Sequence, residues 1–587
     1  MAYSLNINKN DQTKRTNTFT ALKKLLLILA GEKKNLIAAL FVILIYSVIV
    51  LFAPLLIGYA VDHYVQQKDF RGVLFFGGIL LGMYLVALVA NYLQTKMMGS
   101  IGQRMLFRLR NDIFIKLQEL PIAFFNENKA GDLISRINND TDKLNQFFSQ
   151  SLMQFIGSLF IMTGAGVFLL SINLQLGAAS LIPAVILLLF SRFITPWVKK
   201  LNAAYLASTG NLSAEIQESL ANFKVIIAYN RRDYFRERFN VVNRENYAAA
   251  IKSGLANSLF IPVYGFFSNL GQMVVLALGI YLVSKKLFTL GLLISFLAYI
   301  NNFYNPLRQL AALWSNFQIA LAGWDRISRI LSMETNLRVM PTGEPADNQA
   351  MLRFNEVTFG YEPGKAILQQ ASFDLDKGKT YAFVGPTGGG KTTTASLIAR
   401  LYDPDKGMVL LNGIDIRSYS PEERSEIIGF ILQEPFLFTG TLKDNIIYGN
   451  RKLENVAHEA LQEMISREGL DDLLRRFENG LETRITNYGE LLSLGQKQLV
   501  AFIRAVLRKP ELLILDEATA NIDTITEQQL ERILKRLPES TTKIIIAHRL
   551  NTIANADEIF FINTSGLIRA GSMENAVQLL MNSSRDS

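Results

Sequence analysis

The first 330 residues alternate between long apolar stretches and polar, basic connections. The apolar runs fall at roughly 36–60, 73–94, 152–171, 174–195, 258–283 and 289–309. Each is about 20 residues or longer, which predicts a helix able to cross a hydrocarbon core about 30 Å thick. Two connections, after the second and fourth runs, are long and patterned as amphipathic helices. Met105-Leu-Phe-Arg-Leu-Arg110 and Leu212-Ser-Ala-Glu-Ile-Gln-Glu218 are examples, and they predict helices that continue past the bilayer. Residues 18–30 predict an interfacial helix. Residues 331–350 are polar, contain Pro341, Gly343 and Pro345, and predict a linker. From Met351 the pattern changes to short apolar runs, such as 380–384, 512–515 and 543–547, between helical segments. That predicts a soluble α/β domain. The expected architecture is a six-helix transmembrane domain over 1–330, a linker over 331–350, and an α/β domain over 351–587.

Charge adds an orientation. The 587-residue chain carries a formal net charge of +9, and half of it is hydrophobic. A basic chain suggests nucleic acid, but here Lys and Arg flank the apolar runs. They crowd the segment before the first run and the two long connections, and the turn at Ser171-Ile-Asn173 has none. The positive-inside rule then places both termini, both long loops and the α/β domain in the cytoplasm, with no nucleic-acid partner. With no cysteine in the chain, disulfides and thiolate chemistry are excluded. His63, His458 and His548 are scattered, so a histidine-rich metal site is not expected. The polar start of the chain predicts no cleavable signal peptide. No Asp or Glu sits mid-span, which argues against a proton relay. Polar residues in the spans are neutral, among them Gln154, Ser158, Gln272, Tyr299, Asn301 and Asn302. They fit helix–helix hydrogen bonding or a cavity for bulky amphipathic molecules.

One stretch carries chemistry by its spelling. Gly385-Pro386-Thr387-Gly388-Gly389-Gly390-Lys391-Thr392 follows the strand-like run 380–384. Average composition gives such a match by chance on the order of 0.02 times in a chain this long. Glycines let backbone N–H groups wrap phosphate oxygens, and the helix after them offers its positive end. Lys391 would reach the β/γ-phosphates and Thr392 would ligate Mg²⁺. Leu512-Leu-Ile-Leu-Asp-Glu517 predicts a buried strand that delivers Asp516 to the metal and Glu517 to the attacking water.

With these motifs the chain resembles one half of an ATP-binding-cassette exporter over nearly its whole length. The resemblance implies a P-loop nucleotide-binding domain fused to the membrane helices, with ATP hydrolysis driving transport. It implies that Tyr361 stacks on the base (ATP or GTP, since both stack) and that Thr393 joins the nucleotide site. Gln433, in Leu432-Gln-Glu-Pro-Phe436, matches the glutamine that touches magnesium. His548 matches the histidine that contacts the γ-phosphate, and Asp523 the aspartate of the loop crossing between two cassettes. Pro121–Asp132 and Ala221–Asn230 resemble coupling helices. Glu490-Leu-Leu-Ser-Leu-Gly-Gln-Lys-Gln498 resembles the signature that closes over nucleotide held by a second cassette, through Ser493, Gly495 and Gln496. It departs from the family in having Leu494 where a glycine is usual. Glycine there permits close approach and unusual dihedrals that leucine resists, so the site this signature completes should hydrolyse poorly. Because the chain's own set (Lys391, Thr392, Gln433, Asp516, Glu517, His548) is complete, the expected partner is a different half-transporter, with an intact signature and a degenerate catalytic site. The expected function is multidrug-type export of hydrophobic or amphipathic molecules across a bacterial plasma membrane, in contact with its lipids. A lipid or peptide exporter of the same fold and a nucleotide-gated sensor or channel are the alternatives.

Overall fold

The computed structural model describes residues 30–334, 339–341, 350–362, 364–486, 489, 491–516, 524–546, 556–563 and 566–583. The expected interfacial helix at 18–30 lies almost wholly outside them. The described residues fall into two compact units, divided at Gln118/Glu119, Lys129/Ala130 and Ser332/Met333.

The helical unit contains α1 (Lys33–Val65), α2 (Phe70–Glu119), α4 (Ala130–Ile172), α5 (Leu174–Ala221), α7 (Arg232–Ser284) and α8 (Leu290–Ser332). A six-residue helix, α3 (Ile122–Glu127), follows α2, and another, α6 (Phe223–Ala228), follows α5. At least 33 residues each, the long helices outrun the apolar stretches within them, because amphipathic sequence extends them. Five are long and apolar enough to cross a membrane. The sequence pattern predicted six spans. The sixth candidate, α8, runs 43 residues, but Asn301, Asn302 and Asn305 dilute its apolar stretch.

Those amides have a structural cause in part. Pro54 sits inside α1 and lacks the N–H that would bond the Val50 carbonyl four residues earlier. Asn302 on α8 donates to that carbonyl at 3.4 Å. Tyr299 donates to the Leu51 carbonyl at 2.6 Å, and Ser295 to the Pro54 carbonyl at 2.7 Å. Positions 295, 299 and 302 share one helical face, so α8 lays a ladder of donors along the interrupted stretch of α1. Tyr299 is also stacked on Phe168 of α4, with centroids 5.1 Å apart. Further along α8, Arg326 donates twice to the buried carboxylate of Asp140 on α4, both at 2.6 Å.

The α/β unit comprises 119–129 and the chain from Met333 onward. Its main sheet has six strands. They are β3 (Thr380–Val384), β6 (Ile428–Ile431), β9 (Leu512–Asp516), β10 (Thr542–Ile546), β11 (Glu558–Asn563) and β12 (Gly566–Arg569), in the order β12-β11-β3-β10-β9-β6. All pairings are parallel except β11 with β12. β9 is buried at every position and β3 at all but its first, as expected for parallel strands covered on both faces. An antiparallel sheet, β2-β1-β4-β5, is built from Ala350–Phe359 (β1), Leu368–Asp376 (β2), Lys406–Leu411 (β4) and Ile414–Asp415 (β5). Phe354, Phe373, Phe383 and Phe560 belong to the core cluster that the two sheets share.

Tyr299→Phe removes the donor to the Leu51 carbonyl while keeping the stacked ring. It should lower the stability of the helical unit by about 1 kcal/mol, read as a shifted thermal midpoint in lipid. Tyr299→Leu, which also loses the stack on Phe168, should shift it further.

Candidate functional site

Ligands in open parallel sheets bind beyond the carboxyl ends of the strands. Here the neighbours β3, β10, β9 and β6 end side by side, and each is followed in the chain by a candidate site residue. Gly385 follows β3. Asp516 closes β9. Gln433 lies two residues past β6. Glu517 follows β9 and His548 follows β10 by two residues. Glu517, Asp523 and His548 lie outside the described residues.

The glycine loop 385–390 turns from β3 into α9 (Lys391–Ile398). Gly390, the N-cap of that helix, has φ 106°, a conformation that side chains resist. At Gly389 a Cβ would lie 2.7 Å from the Ile562 carbonyl oxygen, so the loop packs on β11 without room for a side chain. The buried Lys391 sends its ammonium back into the arch, donating to the carbonyls of Gly385 at 2.8 Å and Pro386 at 2.9 Å. Thr392 donates through its hydroxyl to the Asp516 carboxylate at 3.3 Å, although 124 residues separate them in the chain. Asp516 is buried.

A hydroxyl and a carboxylate are hard oxygen donors, the kind that Mg²⁺ takes when substrate phosphate completes its shell. Among the described residues no cluster of three His, Cys, Asp or Glu could hold a metal alone. The residues present therefore fit Mg²⁺ with a nucleotide phosphate.

Tyr361 is half exposed and its hydroxyl lies 3.2 Å from that of Thr393 on α9. Its ring stands edge-on to Tyr402 at 5.1 Å and to Phe359 at 5.2 Å. Sequence reasoning missed Tyr402. Asn126 of α3 donates to the Tyr402 hydroxyl at 2.7 Å. Burial, then the neighbouring Tyr361, pushes the Tyr402 phenol above its ordinary value, against the opposing pull of the Asn126 bond. The phenol thus stays neutral between α3 and the aromatic at the nucleotide site. No local pattern marks it, because its partners lie far away in the chain.

The signature residues stand apart from the phosphate loop. Ser493 caps α10 (Leu494–Val506), accepting from Gln496 N–H at 3.2 Å while Gln496 accepts from Ser493 N–H at 3.0 Å. This is a reciprocal capping box. Among the described residues, no hydrogen bond joins Ser493, Gly495 or Gln496 to the phosphate loop. Leu494 is the first helical residue and is not among the residues with positive φ. The sequence argument that leucine would strain the backbone here is therefore corrected. Leucine accepts a helical N1 position easily, and what it adds is an isobutyl group, 37% exposed, at the helix start. Leu491 beside it is 88% exposed.

Comparison with known proteins agrees with this geometry. Residues 36–307 match the model of the ABC transporter transmembrane region, and residues 368–520 that of the ABC transporter domain. A fatty acid ABC transporter ATP-binding/permease protein of Mycobacterium bovis is 33% identical over 86% of this chain and 80% of its own. A multidrug resistance ABC transporter ATP-binding and permease protein of Lactococcus lactis is 29% identical over 84% of this chain and 83% of its own. The solved structure of an ATP-bound bacterial Atm1-family ABC exporter superposes with a TM-score of 0.77, covering 94% of this chain and 96% of that one, at 24% identity.

Gly389→Ala forces the loop off β11. It should lower ATP affinity about tenfold or more and destabilise the α/β unit by about 1–3 kcal/mol, measured by nucleotide titration and thermal unfolding.

Proposed function

The chain belongs to the ABC transporter family, as an ATP-hydrolysing exporter half, and on that premise we propose that it exports amphipathic small molecules across the bacterial plasma membrane as one half of a heterodimer. The observation that carries the exporter chemistry is the meeting of Thr392 and Asp516 beneath a loop closed by Lys391. Bound Mg²⁺ would supply positive charge against the β- and γ-phosphate oxygens. Lys391, now turned to the Gly385 and Pro386 carbonyls, would hold the same phosphates, and Thr392, Asp516 and Gln433 would hold the metal. Glu517 takes a proton from the attacking water as the oxygen–phosphorus bond forms and the β–γ bridge breaks. His548 steadies the γ-phosphate, and Tyr361 stacks on the base. Asp523 lies on the loop between the cassettes.

Three observations support a second chain. Ser493 and the N–H of Gly495 head a 13-residue helix suited to phosphate, yet among the described residues no hydrogen bond ties them to this chain's own loop. Leu491 and Leu494 expose apolar surface beside them. α6 in the helical unit exposes Phe223 and Val225, and the Tyr229 that caps its end is exposed too. That the second chain is a different one follows from Leu494. Its isobutyl group stands where backbone must approach phosphate, so this signature closes poorly over any nucleotide. A complete core beside a poor signature works best with an intact signature lent by an unlike half. Alternating access then follows. As cassettes close over ATP, α3 and α6 carry the movement to the spans, and hydrolysis lets the cassettes part. A lipid exporter is the second reading, favoured by the relative described as a fatty acid transporter.

The chain purified alone in lipid should hydrolyse ATP at least about tenfold more slowly than when co-expressed with its partner half, and Leu494→Gly should recover much of that rate. Brisk hydrolysis by the unmodified chain alone would make it a homodimer. Glu517→Gln in the paired protein should bind ATP with unchanged affinity and turn over at less than about a hundredth of the rate.

A further inference from the structure

Two contiguous cavities lie wholly inside the helical unit. One, about 400 Å³, is lined only by apolar side chains, including Leu36, Leu40, Phe147, Phe155, Trp314 and Phe317. The other, about 510 Å³, gathers carboxamides from three helices: Asn91 and Gln94 of α2, Gln154 of α4, and Asn301, Asn305 and Gln309 of α8. Met153 lines both, so the two adjoin at its side chain. Among the described residues, neither chamber is lined by Asp, Glu, Lys, Arg or His. Both volumes fall in the range of small-molecule sites.

The carboxamides are not fully occupied with holding helices together. Gln272 donates to Asn301 at 3.0 Å and Ser158 to Gln309 at 3.4 Å. The side chains of Asn91, Gln94, Gln154 and Asn305 make no hydrogen bond among the described residues. Amides left open to hydrocarbon cost free energy, so a membrane protein keeps them only where water, a ligand or another chain meets them.

We propose that the two chambers form one binding site for an uncharged amphiphile, whose head bears hydroxyl or amide groups and whose tail is aliphatic or aromatic. A carboxamide both donates and accepts, so a ring of them matches sugar-like or peptide-like heads. A cationic head would find no carboxylate here, and a carboxylate head no Arg or Lys. Burying either charge without a counter-charge is costly. The apolar chamber takes the tail by burial alone. The inference rests on the exporter reading above and narrows its substrate class. It also separates this chain from any transporter that must hold a fatty acid by its ionised head.

Trp314 in the apolar chamber is the reporter. The chain has 3 tryptophans, so Trp197→Phe with Trp324→Phe leaves Trp314 alone. The full chain in lipid nanodiscs is titrated with amphiphiles sharing one bromine-tipped alkyl chain. Their heads are N-methylglucamide, carboxylate or trimethylammonium, and each titration is corrected for partition into protein-free nanodiscs. The glucamide should quench Trp314 at a concentration about tenfold lower than either charged probe. Gln154→Leu with Asn305→Leu should erase that advantage without changing the charged probes, and Gln154→Leu alone should remove part of it should the double variant fail to fold. Equal quenching by a charged probe, no quenching of Trp314 by any probe, or an unaltered glucamide response in the variants overturns the proposal. So does loss of a co-purifying second chain in the variants with quenching unchanged, since the amides would then be a packing face. ATP hydrolysis read in the same samples separates the two readings. Quenching without any hydrolysis, even with a partner half present, sinks the exporter reading alone, and hydrolysis with no quenching sinks the site alone.

Discussion

A backbone carbonyl inside hydrocarbon has no water to turn to, and the helical unit is organised around that constraint. Pro54 leaves the Val50 carbonyl of α1 without its helical donor and Asn302 meets it, while Tyr299 and Ser295 on the same face of α8 add bonds to the Leu51 and Pro54 carbonyls. That pins α8 against α1 and fixes its rotation. Once the rotation is set, Asn301, Asn305 and Gln309 turn into the space between α1, α2, α4 and α8 rather than toward lipid. The amide-lined chamber is thus a geometric consequence of how the interruption of α1 is satisfied.

The α/β unit meets a different constraint with the same economy of parts. Catalysis of phosphoryl transfer is mostly positioning and charge, so the groups concerned must converge without strain. The order β3-β10-β9-β6 does this by adjacency. Among the described residues, the end of β9 shows it, where Asp516 meets Thr392 of the helix that follows the phosphate loop. The buried, side-chain-filled strands make those ends rigid, and the loop itself is held by close packing of Gly389 on β11.

How much of this could be read from the chain depended on whether the cause was local. The glycine loop was legible because its spelling answers a local backbone requirement, and Asp516 because a buried strand ending in acid has a recognisable pattern. The long helices were legible from periodicity, although α8 blurred the signal, because Asn302 serves α1 from 252 residues away and Asn301 and Asn305 line the chamber. Tyr402 was not legible, since Asn126 and Tyr402 are 276 residues apart and neither stands in a motif. Leu494 was legible as an oddity and misread in its cause. Only the structure shows it at a helical N1 position, where the substitution acts through its side chain and not through φ.

The two short helices fall on opposite sides of the division of the chain, α3 with the α/β unit and α6 with the helical unit. α3 clusters with the α/β unit and reaches Tyr361 through Asn126 and Tyr402, so a movement at the nucleotide has a packed route to the loop that leads back to α2 and α4. α6 belongs to the helical unit and, with its C-cap Tyr229, leaves Phe223, Val225 and that tyrosine exposed, a cost that a surface helix keeps only where something covers it. The α/β unit offers a cleft of matching kind, lined by Leu432, Phe436, Phe438, Tyr448 and Arg504, on the segment that also carries Gln433.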